Sequence, residues 1–304
     1  MALFGALALV VIIGGFLAGH SGGGSAPAPY SNFASVGHFQ LRYPKAWQLG
    51  SIAQPVLGLK FDDPLTLTTN AGTAGLQAGA VRAAGGPTLL PPSVRSGAAG
   101  GLPKPQPVLL GNVQAYRYRN VSVHGATPAS AVYAVPTSAG VITLACWTPA
   151  TPPAGFADQC DRIADTLRIV GTTAYPLGPS SAYAKLLSST FTQLRSSVDA
   201  EQAQLKSAKT PTAQAAAATA LGHAYGQAAS RLAHATVSPR DREAQAAVLA
   251  ALHTISTGYS NAAAAARSGS HAAYQRAAAQ VARGSRALTA ATTALGGLGY
   301  HVAT

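Results

Sequence analysis

Acidic residues are scarce in this chain. Its 304 residues include nine Asp and Glu but 21 Lys and Arg, which gives a formal net charge of +12. Helical-bundle metal sites and general acid–base catalysis both depend on carboxylates, and bundles commonly supply them as Glu-x-x-His pairs. The two glutamates, Glu201 and Glu243, have no histidine three residues further on. The sequence therefore argues against a metal cofactor and against carboxylate-based catalysis.

Cysteine is almost absent too, since the chain has only Cys146 and Cys160. No histidine or additional cysteine stands at ligand spacing beside either residue, which argues against a zinc site. In an exported chain, an even number of cysteines favours a disulfide. A cross-link between these two residues would stabilise the fold by roughly 3 kcal/mol in the chain-entropy model. The alternative is a pair of buried free thiols.

Sequence signatures of nucleophilic and phosphate-transfer enzymes are missing as well. The chain has no G-x-S-x-G motif, and its glycine-rich stretches lack the Lys-Ser/Thr of a phosphate-binding loop. Asp158, Asp161 and Asp165 share one flank of a predicted helix. Arg162 and Arg168 lie close enough along the chain to neutralise them, so a solvated helix face is expected there. We predict a protein without catalytic activity and without a cofactor.

The positive charge is scattered rather than concentrated. The chain has no block of five or six basic residues and no aromatics interleaved with Lys and Arg. This pattern argues against a nucleic-acid site and is typical of a basic, solubilising surface. A basic surface also concentrates anionic partners such as lipid headgroups or wall polymers.

One long apolar run is present, at the N-terminus. Residues Ala2–Ala18 (ALFGALALVVIIGGFLA) contain no charged or strongly polar side chain. About 17 apolar residues are the shortest helix that crosses the hydrocarbon core of a bilayer. The sequence predicts a transmembrane anchor at residues 1–19, a Gly/Ser/Pro linker at residues 20–29, and an extracytoplasmic location for everything from Tyr30 onward.

The N-terminus also has features of a lipoprotein and of a cleaved signal peptide. Leu17-Ala18-Gly19 resembles the start of a bacterial lipobox, but residue 20 is His rather than the Cys that is acylated, which argues against a lipoprotein. Ala26-Pro27-Ala28 resembles a signal-peptide cleavage site, although Pro29 would follow the cut. A cleaved signal peptide therefore stays open as the alternative to the anchor.

An α/β domain is predicted at residues 30–172. Phe39, Leu41 and Tyr43 alternate with polar residues, as a half-buried strand requires. Residues 85–107 are so rich in Gly and Pro that mostly irregular loop is expected. Further strands are predicted at Val56–Phe61 and Leu65–Thr68 (a hairpin around Asp62-Asp63-Pro64), Leu76–Val81, Val113–Val123, Ala131–Val135 and Val141–Trp147.

A helix is predicted to close this domain. Thr151 is its expected cap, and an apolar stripe follows at helical spacing. Cys160 belongs to that stripe, which would place it against the sheet within reach of Cys146. The stripe consists of Phe156, Cys160, Ile163 and Leu167.

The residues of this half carry a resemblance to a known family. The motif Phe39-x-Leu41-x-Tyr43-Pro44-x-x-Trp47 is similar to the opening of Mog1/PsbP-like domains, and a helix ending in Thr166–Ile169 is similar to their closing helix. The resemblance implies an antiparallel sheet packed by helices in an α/β/α sandwich. It also implies a binding or assembly role with no catalytic residues to carry over. Independently of it, core packing is expected for Tyr43 and Trp47.

The hydrophobic period changes to 3.6 residues in the remainder, residues 173–304. Helices are predicted over Ser181–Ser207, from Thr210-Pro211, from Ser238-Pro239, and after Ser270, and together they predict an antiparallel four-helix bundle. In the last helix two seven-residue series run side by side: Tyr274, Val281, Leu288, Leu295 and Ala277, Gly284, Ala291, Leu298.

Histidines and tyrosines are the candidate site residues of the bundle. His223 and His253 lie beside the apolar stripes rather than on them. Surface or boundary positions are expected for all five histidines: His223, His234, His253, His271 and His301. Four tyrosines could frame a small-ligand pocket or simply fill gaps left by alanine: Tyr183, Tyr225, Tyr259 and Tyr274.

Together these observations predict an α+β protein with a transmembrane helix, an antiparallel-sheet sandwich and an all-α bundle. The expected function is that of a membrane-anchored, extracytoplasmic binding or scaffold protein of the bacterial cell envelope. Its expected partners are the membrane, through residues 1–19, and an envelope protein or an anionic polymer. The alternative is a ligand-binding or sensory ectodomain with its pocket in the bundle.

Overall fold

The computed structural model describes residues 30–301. The strands are β1 (Asn32–Val36), β2 (Phe39–Tyr43), β3 (Trp47–Leu49), β4 (Asp62–Thr69), β5 (Gly75–Val81), β6 (Gln106–Leu110), β7 (Val113–Val121), β8 (Ala129–Thr137), β9 (Gly140–Trp147) and β10 (Arg168–Ile169). The α-helices are α1 (Pro92–Gly97), α2 (Phe156–Asp165), α3 (Ser181–Ser207), α4 (Pro211–Ala233), α5 (Arg242–Ser268) and α6 (His271–Gly297).

The strands form two antiparallel sheets. The larger has the order β3-β4-β5-β9-β8-β7-β6, and the smaller has the order β1-β2-β10. Strand β9 lies at the centre of the larger sheet and all eight of its residues are buried, which explains why Thr143 is the only polar side chain in it. With the helices of the C-terminal part, this confirms the α+β class.

Two hydrophobic cores cover the two faces of the large sheet. On one face, the small sheet and α2 pack against residues such as Leu67, Leu76 and Leu144. Trp47 belongs to this core, where it stacks on Phe156 with ring centroids 5.8 Å apart. Its indole Nε1 donates a hydrogen bond to the Gln159 side chain at 3.0 Å. Core positions for Tyr43 and Trp47 are therefore confirmed.

The other face is covered by segments that were expected to be strand or irregular loop. Leu89 and Leu90, which follow a short 3-10 turn at Gly86–Thr88, and Val94 of α1 pack against this face together with Val56 and Leu59. The stretch at residues 85–107 thus includes a helix that closes the second core.

The predicted hairpin between Val56–Phe61 and Leu65–Thr68 is wrong. Residues 56–59 form turns with one isolated bridge to Thr127, and β4 continues through Pro64. Its register with β5 shifts between Asp62 and Leu65. A bulge accommodates a proline because the ladder there does not need its missing N–H.

The predicted boundaries of the closing helix are also wrong. Helix α2 begins at Phe156, and its N-cap residue is Gly155, which has a φ of +70° and makes no side-chain cap, so Thr151 lies outside the helix. The helix ends at Asp165, and Arg168–Ile169 form β10 by pairing with β2. Leu167 stays buried beyond the helix end.

Cys146 of β9 and Cys160 of α2 form a disulfide with their Cα atoms 6.5 Å apart. Both residues are buried in the first core. The predicted pairing is confirmed, and the cross-link ties α2 to the central strand.

The start of three C-terminal helices is confirmed. The cap side chains each accept a hydrogen bond from the backbone N–H three residues later, which satisfies a donor that the first turn leaves free. These caps are Ser180 for α3, Thr210 for α4 and Ser270 for α6.

The predicted start of the third helix at Ser238 is wrong. Residues 238–241 form a turn in which the Asp241 N–H donates to the Ser238 carbonyl at 2.9 Å, and α5 begins at Arg242. Asp241 is buried, and its carboxylate accepts a hydrogen bond from Tyr300 at 2.8 Å. Burial raises the pKa of Asp241 above its ordinary 3.8. The hydrogen bond from Tyr300, rather than a helix cap, therefore holds this turn.

The same turn connects the helices to the α/β region. Glu243 accepts two hydrogen bonds from the Arg95 guanidinium, at 2.6 and 3.1 Å. The Gly86 N–H donates to the Pro239 carbonyl at 3.0 Å. These bonds position the first turn of α5 on the 3-10 turn and α1.

Small residues bring α5 and α6 close together. The series Ala277, Gly284, Ala291, Leu298 is buried, while Tyr274, Val281 and Leu288 of the parallel series are half-buried. The interface thus follows the small residues. A Cβ atom on Gly284 would lie 2.6 Å from Ile255 Cγ1 and 3.0 Å from the Ile255 backbone nitrogen.

We expect Gly284→Ala to destabilise the helical region by about 1–2 kcal/mol, because overpacking outweighs the gain in helix propensity. Gly296→Ala in the same helix is the control, since its Cβ would meet nothing within 4 Å. That variant should gain about 0.5–1 kcal/mol. Urea unfolding followed by circular dichroism at 222 nm measures both, and equal effects of the two substitutions would contradict the close packing.

No helix within residues 30–301 has the length and apolarity that a membrane span requires. The predicted anchor at residues 1–19 and the linker at residues 20–29 lie outside the described residues, so both stay predictions.

Candidate binding grooves

A polar groove runs between α4 and α5. Its residues on α4 recur at helical spacing from Thr219 to Arg231, a length of about 18 Å at 1.5 Å per residue. The volume of the groove is about 570 Å³. We call it the α4/α5 groove, and it is lined by Thr219, Gly222, His223, Gly226, Gln227, Ser230, Arg231, His253, Ser256 and Ser260.

Two glycines form its floor. The helices pack so closely at Gly222 that its Cβ would lie 3.2 Å from the Ser256 carbonyl oxygen. The Ser256 hydroxyl donates to the Gly222 carbonyl at 2.7 Å, which joins the two backbones. Gly226 lies one turn further along, where a Cβ would be 3.3 Å from Ser256 Oγ. The floor is therefore rigid backbone, with the longer side chains along its rims.

The lining of the groove offers donors and one fixed positive charge but no carboxylate. Arg231 is exposed and hydrogen-bonds to Gln193 on α3, which holds the guanidinium at one end of the groove. His223 and His253 lie on its two sides, one on each helix. Hydroxyl, amide, imidazole and guanidinium groups together suit an anionic ligand such as a carboxylate or a phosphate.

The histidines of the C-terminal helical region lie at the surface, and two of them line the same groove. All five histidines are exposed, as expected. The structure further brings His223 and His253 to one groove, whereas His234, His271 and His301 lie elsewhere. Within residues 30–301, no three His, Cys, Asp or Glu side chains are arranged to hold a metal ion.

Only two of the four tyrosines of the predicted pocket stack on each other. Tyr183 packs edge-on against Tyr300 at 5.3 Å, while Tyr225 stacks on Tyr259 at 5.8 Å. Tyr274 packs beside a cluster of buried alanines that belong to α4, α5 and α6. Burial raises the pKa of Tyr183 and of Tyr225 to about 12, so both phenols stay protonated at neutral pH. None of the four lines the α4/α5 groove.

Of the three α2 aspartates, Asp158 and Asp165 are exposed, as expected for a solvated flank, whereas Asp161 is not. Asp161 is half-buried, and it accepts hydrogen bonds from Tyr133 and Arg119 and from Arg117 at 3.4 Å. The neutralising arginines therefore come from β7 of the sheet, not from positions 162 and 168. This arrangement docks α2 on the sheet and is a structural site.

A second groove lies on the α/β region, where β10 meets the β6–β7 turn. It has a volume of about 770 Å³, and the charged residues that line it are Arg42, Asp165 and Arg168. Burial raises the pKa of Asp165 above its ordinary value, and the neighbouring Asp161 acts in the same direction. Because this groove carries both signs of charge, it is less selective for an anion than the α4/α5 groove.

The α4/α5 groove was not predicted, although one signal for it exists in the sequence. Gly222 and Gly226 are four residues apart, which places them on the same face of α4. What the sequence does not show is which neighbouring helix that face meets. Comparison of the chain with protein-family models, with curated proteins and with solved structures finds no match.

Proposed function

We propose that this chain is a membrane-anchored, extracytoplasmic binding protein of the bacterial cell envelope, which captures an acidic segment of an envelope protein in the α4/α5 groove. The observation that carries the proposal is the lining of that groove, with Arg231, two histidines and several hydroxyls on a rigid backbone floor and no carboxylate. The apolar run at residues 2–18 supports the anchoring part of the proposal.

The α/β region supports a binding role as well. An antiparallel sheet covered on both faces, with α2 packed across one of them, is what the Mog1/PsbP-like resemblance implies. Proteins of that kind serve as binding or assembly modules. The contacts between Arg95 and Glu243 and between Gly86 and Pro239 would let such a module hold the groove at a defined orientation.

Site-specific photo-crosslinking in intact cells tests the groove. A photoreactive amino acid replaces Gln227, whose exposed side chain lines the groove, and the same amino acid replaces exposed Ala282 on α6 as the control. We expect a defined protein adduct from position 227 and none from position 282.

Charge reversal gives the second arm of this test. Arg231→Glu should weaken formation of the adduct by at least tenfold, because it replaces an attractive charge by a repulsive one. Arg286→Glu on α6, which changes the net charge equally, should leave the adduct unchanged. An adduct that persists in Arg231→Glu would contradict the groove, and an adduct with glycan or wall polymer would replace the protein partner by a polymer.

A ligand-binding or sensory ectodomain is the second candidate. It is favoured by the stacked pair of Tyr225 and Tyr259, whose rings could sandwich a small apolar ligand if the helices moved apart. A thermal-shift screen of the full chain in detergent separates the two functions. Stabilisation by a small molecule that Tyr259→Ala abolishes would support the sensor.

A further inference from the structure

The solvent face of the small sheet is a second surface with a distinct chemistry. In the register of the three strands, Phe33 lies opposite Arg42, and Gln40 lies between Ser35 and Arg168. These five residues share one face, which we call the outer face. The alternate residues, such as Ala34 and Leu41, point into the core.

Phe33 is the most exposed of the large hydrophobic residues described, with 70% of its surface accessible. Arg42 and Arg168 are also exposed, and neither has an ion-pair partner among residues 30–301. None of the five residues is acidic, although Asp165 lines the neighbouring second groove together with Arg42 and Arg168. A phenylalanine ring beside free guanidinium groups suits a membrane interface, since apolar rings enter the boundary between headgroups and acyl chains and arginines pair with phosphates.

The outer face is held rigidly. The Arg42 N–H donates to Thr166 Oγ1 at 2.8 Å, which ties the middle strand to the chain just after α2. A shallow depression of about 210 Å³ lies between Phe33 and the two arginines. The side chains therefore project from a fixed platform rather than from a loop.

The position of this face along the chain also matters. Eleven residues separate Ala18, the last residue of the apolar run, from Tyr30. Such a segment spans at most about 40 Å when fully extended. Strand β1 begins two residues after Tyr30, so the edge of the outer face that carries Phe33 is the part of the fold nearest in sequence to the apolar run.

We propose that the outer face docks on the anionic headgroups of the bilayer, with Phe33 entering the interface and Arg42 and Arg168 contacting lipid phosphates. The proposal rests on the membrane anchor of the proposed function, which keeps the α/β region beside the membrane. Docking would hold the α/β region against the bilayer.

Tryptophan fluorescence tests this docking directly. The two native tryptophans, Trp47 and Trp147, are buried, so Phe33→Trp introduces an exposed reporter. The full-length variant is reconstituted in vesicles of phosphatidylcholine with 30 mol% phosphatidylglycerol carrying brominated acyl chains. We expect quenching of the introduced tryptophan in these vesicles. In vesicles of phosphatidylcholine alone, with the same brominated acyl chains, the quenching should be at least threefold weaker. Ala282→Trp, at an exposed position of α6, is the matched control and should show no quenching above that of the native chain.

The arginines are tested in the Phe33→Trp background. Each of Arg42→Gln and Arg168→Gln should lower the ratio of docked to undocked protein about fivefold, because one basic side chain beside an anionic surface strengthens binding by about that factor. Arg286→Gln on α6 is the control for net charge and should have no effect.

Flotation of the same vesicles separates this proposal from the anchoring. Chain that floats without quenching of the introduced tryptophan overturns the docking and leaves the anchor intact. Quenching in chain that floats only with anionic lipid supports the docking and contradicts the anchor. A blue-shifted but unquenched tryptophan overturns the docking too, because it shows that protein rather than lipid covers the face.

Discussion

Replacing both Cys146 and Cys160 by alanine is expected to lower the free energy of unfolding of the α/β region by about 3 kcal/mol, the chain-entropy value for a loop of this length. The two residues are 14 positions apart. In the unfolded state the cross-link restrains the Pro-rich segment that follows β9. Without it, the unfolded chain gains conformational freedom while the folded state loses the tie between α2 and the central strand.

The location of the tryptophans makes this measurement selective. Trp47 and Trp147 are the only two in the chain, and both lie in the α/β region. Urea unfolding monitored by tryptophan emission therefore reports this region alone, whereas circular dichroism at 222 nm is dominated by α3–α6. The emission midpoint should fall, and the helical signal should change much less.

The single variants supply the control. Cys146→Ala and Cys160→Ala each break the same cross-link, so their effects should be similar and should not add in the double variant. Reduction of the native chain should reproduce the loss. A double variant that unfolds within 1 kcal/mol of the native protein would contradict a stabilising disulfide.

Asp161→Ala is expected to cost about 2–3 kcal/mol, less than for a fully buried charge because the carboxylate is partly exposed to solvent. The substitution leaves the buried Tyr133 hydroxyl without its acceptor and leaves Arg117 and Arg119 without their anion. These arginines are 28% and 33% exposed, so water compensates part of the loss.

Two further variants locate the source of that cost. Tyr133→Phe should cost about 1 kcal/mol, the usual net value of one hydrogen bond. Combined with Asp161→Ala it should add little, because the hydroxyl no longer needs an acceptor. Asp158→Ala on the same helix is the matched control. Asp158 is exposed and has no ion-pair partner among residues 30–301, so its removal should change stability by less than about 0.5 kcal/mol. An equal cost for both aspartates would contradict the docking role of Asp161.

Long, regular elements of this fold could be predicted from sequence. The apolar run at Val141–Trp147 is β9, and Ser181–Ser207 matches α3 at both ends. Both have strong local signals: β9 is buried on both faces, and α3 has a serine cap and a sustained apolar stripe. The disulfide followed from the same reasoning, because the stripe of α2 placed Cys160 against the sheet.

Short strands could not be predicted in this way. Residues 32–36, 47–49, 106–110 and 168–169 are strands because a neighbouring strand pairs with them. The outer face that we propose for docking is made of two of these strands and β2. Its juxtaposition of Phe33, Arg42 and Arg168 spans 135 positions of sequence and has no local signal.

The sequence by itself determined the class of this protein: a mixed α/β region followed by helices, two cysteines able to pair, a basic charge and an N-terminal apolar run. These properties depend on composition and on periods of two and 3.6 residues, which are local. Only the tertiary structure decided which surfaces could bind. The α4/α5 groove exists because Gly222 meets Ser256, and Asp161 is held because β7 brings two arginines to α2. Such contacts join residues that are far apart in the chain, and their chemistry arises only when packing brings them together.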